Sequence, residues 1–82
     1  MDIPTRNLRN YVQKMGINLS KMSRETNIPY VSLYDSLQNS ARERDLRAGE
    51  MLSICAYLHV NPLDFNKDPM EKEVKGSEES KK

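Results

Sequence analysis

Leu8, Val12 and Met15 recur at spacings of four and three with polar residues between them, and Gly16 follows where a helix would end in a left-handed residue. This predicts a first helix that buries Leu8, Val12 and Met15. Asn18 suits an N-cap, and Leu19 and Met22 open a second stripe that stops near Asn27, a residue tolerant of positive φ. A second helix of about two turns follows from that spacing. Ile28 and Pro29 then open a third helix, with Pro29 at the first helical position, where its missing N–H has no partner to lose, and with Leu33 and Leu37 inward. Residues 38–45, QNSARERD, have no apolar period and read as a loop, with Asp45 placed to cap what comes next. From Ala48 onward, Met51, Leu52, Ile54, Cys55 and Leu58 mark one broad helical face, the strongest periodic signal in the chain. Asn61-Pro62-Leu63-Asp64-Phe65 then supplies a cap, a proline, an apolar residue and an acid, which predicts a fifth short helix. No segment alternates with period two for long enough to make a strand, so the fold class is all-α, a compact five-helix domain.

Eighty-two residues allow one small core. From Asn66 to the end the segment holds two apolar residues and five basic against five acidic ones, so the chain divides into a domain over 1–65 and a charged tail over 66–82. That tail is expected to be disordered; Glu71 and Lys75, four apart, allow a short helical turn within it. The longest apolar run, Ile54 to Leu58, is far below the roughly 20 residues that cross a bilayer, and the start MDIPTRNLRN lacks a secretory pattern. No membrane partner is expected, and the localisation reads as cytoplasmic.

A single cysteine, Cys55, cannot make an internal disulfide, and with His59 it falls short of the four ligands of a closed zinc site. No metal or other cofactor is implied. One His, one Cys and no glycine-rich phosphate loop leave no catalytic constellation, so no catalytic residue is assigned and the chain reads as non-enzymatic. Cys55 reads as a small core residue, His59 as a partner for the carbonyl end of the fourth helix, and Tyr11 and Tyr57 as packing residues with wet hydroxyls.

The connection Asn27-Ile28-Pro29 is too short for anything but a tight turn between steeply crossing helices, which is helix-turn-helix geometry. With Leu33 and Leu37 inward, the third helix presents Tyr30, Val31, Ser32, Tyr34, Asp35 and Gln38. The stretch Gly16-Ile17-Asn18-Leu19-Ser20-Lys21-Met22-Ser23, continued by Asn27-Ile28-Pro29-Tyr30-Val31-Ser32-Leu33-Tyr34, resembles the lambda repressor-like, Cro-type (Xre) helix-turn-helix family. The likeness runs from about Thr5 to Phe65 and includes Leu58-His59-Val60-Asn61, which stands in for Leu-Gly-Val-Ser.

The resemblance implies double-stranded DNA as the partner, with a reading head at Tyr30, Val31, Ser32, Tyr34 and Asp35 and phosphate contacts at Asn18, Leu19 and Lys21. A helix fits the major groove, and its first turns reach base edges. Asp35 can accept from cytosine N4, Val31 can touch a thymine methyl, and tyrosine hydroxyls can bridge to phosphate or base. Gln38, Asn39, Arg42, Arg44 and Arg47 fall where family members run along the DNA backbone. The chain departs from the family in having Leu19 where Gln is frequent, Pro29 at the turn serine, and no Arg, Asn or Gln on the exposed helix before Gln38.

Net charge is only +1, and residues 1–65 carry eight basic and seven acidic residues, so any affinity for DNA rests on local arrangement. Arg42, Arg44 and Arg47 alternate with Glu43 and Asp45, which fits a phosphate clamp and fits equally a loop of internal ion pairs. Arg6, Arg9, Lys21 and Arg24 are further sources of positive charge. The leading expectation is a phage- or plasmid-type repressor acting as a homodimer, its dimer surface near Pro62 to Phe65 and the end of the fourth helix. The alternative is a protein-binding module, such as an antirepressor, adaptor or inhibitor, motivated by the near-neutral charge and the tyrosines of the third helix.

Overall fold

The computed structural model describes residues 1–67. The segment from residue 68 on, with the optional helical turn at 70–75, lies outside the described residues. Four α-helices, α1 (Ile3–Met15), α2 (Leu19–Thr26), α3 (Tyr30–Leu37) and α4 (Ala48–Leu58), are followed by a 3₁₀ helix at Pro62–Phe65, and no strand occurs among the described residues. The fifth helix is thus a single 3₁₀ turn: Asn66 N–H bonds the Leu63 carbonyl at 3.2 Å, three residues back, and Asn61 Oδ1 takes the Leu63 N–H at 3.0 Å. Four residues are too few to complete an α-helical ladder, and Pro62 contributes no N–H.

The helix ends follow their backbone chemistry. Asp2 caps α1 by accepting from the Thr5 N–H at 2.9 Å, and Asn18 caps α2 by accepting from the Lys21 N–H at 3.1 Å. Gly16 and His59 are left-handed, at φ 66° and 60°. In both cases the following N–H, of Ile17 or Val60, reaches back to Val12 or Cys55, and the apolar side chain folds against the core.

Leu8, Val12, Met22, Leu33, Leu37 and Ile54 are fully buried, so one core joins α1, α2, α3 and α4. Tyr11 meets Phe65 edge to face with ring centroids 5.5 Å apart, tying the 3₁₀ helix to α1. Two expected core residues are outside. Met15 is 56% exposed because α1 ends there and Ile17, folded back past Gly16, covers that end of the core. Leu52 is 58% exposed because Met51, Ile54, Cys55 and Leu58 already complete the i, i+3, i+4, i+7 stripe, and Leu52 stands about 100° away from Met51.

Two expected caps also change. Pro29 is the N-cap of α3, with φ −54° and ψ 139°, and the helix begins at Tyr30. Asp45 does not cap α4: its carboxylate accepts from the Asp2 N–H at 2.7 Å, and the N-cap is Arg47, whose N–H bonds Glu50 Oε1 at 2.9 Å.

Candidate nucleic-acid interface

The turn between α2 and α3 is fixed by short-range bonds. Asn27 sits in the left-handed region at φ 63°, which reverses the chain with little strain because Asn tolerates it. Ser23 Oγ donates to the Ile28 carbonyl at 2.6 Å, Thr26 Oγ1 donates to the Met22 carbonyl at 2.7 Å, and Ile28 plugs the core. This places α3 across α2 with one face buried and the other free.

The free face carries Tyr30, Val31, Tyr34 and Gln38, with Val31 68% exposed. Tyr30 and Tyr34 stack with ring centroids 6.2 Å apart and planes 18° from parallel, so the two rings form an aromatic pair one turn apart on the exposed side of the helix. Ser32 is half-buried beside them. Asp35 is drawn to the side: its carboxylate accepts from Asn39 Nδ2 at 3.1 Å and lies 3.8 Å from Arg42 Nε, with the side chain only 14% exposed. Its outer lone pairs remain available to a donor such as an amino group of a base.

At the start of α2, the structure places Asn18 and Lys21 at the surface and Leu19 in the core, so only the backbone N–H of Leu19 joins them there. The first N–H groups of a helix have no partner within it and point outward with partial positive charge, which suits a phosphate oxygen.

The loop after α3 is internally organised. Asn39 bonds Asp35 with its amide nitrogen and the Ala41 N–H with its oxygen, at 2.9 Å. Arg44 turns toward the protein: it grips Glu50 with two bonds of 3.1 and 3.0 Å and reaches Ser36 Oγ at 2.9 Å. Of the three loop arginines, Arg44 thus takes the buried-side ion-paired role, Arg42 stays exposed with its Nε 3.8 Å from Asp35, and Arg47 stays exposed. Burial pushes the Glu50 carboxyl up, but the bonds from Arg44 and from the Arg47 N–H outweigh it and hold the group below its ordinary value. The Glu50 bond raises the Arg44 guanidinium still further above its ordinary value.

Three side chains from outside the turn fasten the last turn of α3, and the sequence pattern gave no sign of them. Arg9 donates to the Ser36 carbonyl at 3.3 Å, Gln13 donates to the Leu37 carbonyl at 3.0 Å, and Arg44 holds the Ser36 hydroxyl. The bonds from Arg9 and Gln13 satisfy carbonyls that end a helix without partners, and with that of Arg44 to the Ser36 hydroxyl they hold the end of α3 in place.

No helix among the described residues is long and apolar enough to cross a membrane, and no group of three or more His, Cys, Asp or Glu stands close enough there to hold a metal ion. Burial, with a smaller contribution from Asp64, pushes the Cys55 thiol up, as befits an inert core residue. Compared with known families, residues 7–71 match the model of the Cro/C1-type HTH DNA-binding domain. Comparison with curated proteins and with solved structures gave no match.

Proposed function

The chain belongs to the Cro/C1-type helix-turn-helix DNA-binding family, and we propose from that membership that it is a repressor of phage or plasmid type which binds a two-fold operator as a homodimer. One observation carries the reading: the face of α3 left free by the core presents Tyr30, Val31 and Tyr34 beside the Asn18-capped start of α2. A helix of this kind lies in the major groove, and the neighbouring helix start meets the sugar-phosphate backbone.

In this account Tyr30, Val31, Ser32, Tyr34 and Asp35 face base edges. Val31 packs on a thymine methyl, and Asp35, held in place by Asn39, accepts from a cytosine amino group. The Leu19 N–H, Asn18, Lys21, Gln38, Asn39, Arg42 and Arg47 follow the backbone, and Arg44 shapes the loop through Glu50.

The homodimer reading is supported by an apolar groove of about 430 Å³ lined by Pro4, Met51, Leu52, Pro62 and Leu63, with Leu63 66% exposed. Dimeric helix-turn-helix proteins set their two reading helices against half-sites about 34–36 Å apart, and a homodimer of this chain would do the same.

The test is selection from a random duplex pool, with the enriched site titrated at several salt concentrations. A palindromic site whose affinity falls steeply with salt supports the reading. If no duplex is enriched, the Tyr30–Tyr34 surface favours the second reading, a protein-binding module, and this one fails.

A further inference from the structure

We propose that Asp35 and Arg42 act as one unit that reads a single C·G base pair in the major groove, with Asp35 accepting from the cytosine amino group and Arg42 donating to the guanine. The inference rests on the DNA-reading role proposed above and brings Arg42 from the sugar-phosphate strand to the base edge.

The turn after α3 is built to hold this pair. The Asn39 N–H bonds the Tyr34 carbonyl at 2.8 Å and the Arg42 N–H bonds the Asn39 carbonyl at 3.3 Å, so the chain folds back over the end of the helix. Asn39 Oδ1 is taken by the Ala41 N–H at 2.9 Å, which leaves Nδ2 to face Asp35 Oδ1 at 3.1 Å. Asp35 Oδ2 then stands 3.8 Å from Arg42 Nε. A guanidinium approached through Nε keeps both Nη groups for another acceptor. The Arg42 side chain is 69% exposed against 14% for Asp35, so the free fork is carried outward from a carboxylate that is itself fixed.

The charge balance favours a base edge over a phosphate. Asp35 offsets the charge of Arg42, so the pair offers a phosphate little net attraction, and Arg42 in turn offsets the repulsion between Asp35 and the strands of the duplex. What the pair presents is a pattern, one acceptor beside a fork of donors. In the major groove cytosine offers its N4 donor and guanine its O6 and N7 acceptors, so one C·G pair complements both side chains. Between Tyr30 and Leu37, α3 has no Arg, Asn or Gln of its own, and Arg42 supplies the bidentate guanine contact that the helix lacks.

The experiment uses the full chain and the duplex it enriches from a random pool. Each half-site should contain one C·G pair at which replacing guanine by 7-deazaguanine, which lacks the N7 acceptor, weakens the wild type by about tenfold. Arg42→Lys keeps the charge and loses the fork. Its salt dependence should match that of the wild type, its preference for that pair should fall by about tenfold, and 7-deazaguanine should weaken it far less. Asp35→Asn should relax the preference at the same pair and at no other. An Arg42→Lys protein with the wild-type consensus, or a wild type indifferent to 7-deazaguanine throughout its site, overturns the paired reading while leaving the DNA role intact. A wild type that enriches no duplex overturns both. The 7-deazaguanine series on the wild type decides the matter if neither variant folds.

Discussion

His59 ends α4 at φ 60°, a region in which a side chain with a Cβ is strained, and its N–H still closes the helix by bonding the Ala56 carbonyl at 3.3 Å. Glycine meets the same backbone requirement without that strain. His59→Gly should therefore leave the fold intact and raise stability by about 0.5–1 kcal/mol, read as a higher thermal midpoint. Glu50 gives a second residue-level expectation, in which the sign matters. Its carboxyl is held below the ordinary unfolded value of about 4.3, so its contribution is complete above that pH and disappears as pH falls through the folded value. Glu50→Gln should cost about 1–2 kcal/mol at neutral pH, low in the range for charged hydrogen bonds because both side chains keep some exposure. Melts of the two proteins at pH 7 and near pH 3 should show the gap closing in acid; a gap that is constant with pH contradicts the assignment.

Among the elements, α3 divides its work between two faces. Leu33 and Leu37 are fully buried, and Tyr30 and Val31 stand in solvent. Leu37→Ala should destabilise by about 2–5 kcal/mol through the cavity it leaves. Tyr30→Ala should change stability by less than about 1 kcal/mol, since an exposed stack contributes little, while altering which duplexes are bound. Thermal melts alongside binding to the enriched duplex separate the two effects. Much of this element was legible in the sequence, because the reversal at Asn27, the Asn18 cap and the Leu33–Leu37 spacing are local facts about φ and period. Pro29 and Asp45 were misplaced by a few residues for a local reason too, since several residues near a helix start can serve as its cap. The bonds from Arg9, Gln13 and Arg44 to the end of α3 were not legible. They join residues 27, 24 and 8 positions apart, respectively, through a tertiary arrangement that no periodicity encodes. The same holds for the buried Thr5, whose hydroxyl accepts from the Leu46 N–H at 2.9 Å across 41 positions.

For the molecule as a whole, a domain this small with almost no net charge has few contacts to offer a duplex, and pairing two copies doubles them. Leu63 is exposed on the 3₁₀ helix at the edge of the apolar groove, so Leu63→Glu should spare the fold and impair pairing. Sedimentation should show the variant as a monomer, and it should bind a full operator no better than a half-site. The helix order and the all-α class followed from pattern alone, but the groove did not, because Leu52 looks like a core residue until the packing leaves it out. The claim on which the rest depends is that the free face of α3 reads bases, and the most direct measurement is parallel selection from one random duplex pool by the wild type and by Tyr30→Ala. The account predicts two-fold consensus sites that differ at one or two base pairs in each half-site and agree elsewhere. Identical consensus sites for the two proteins would contradict it.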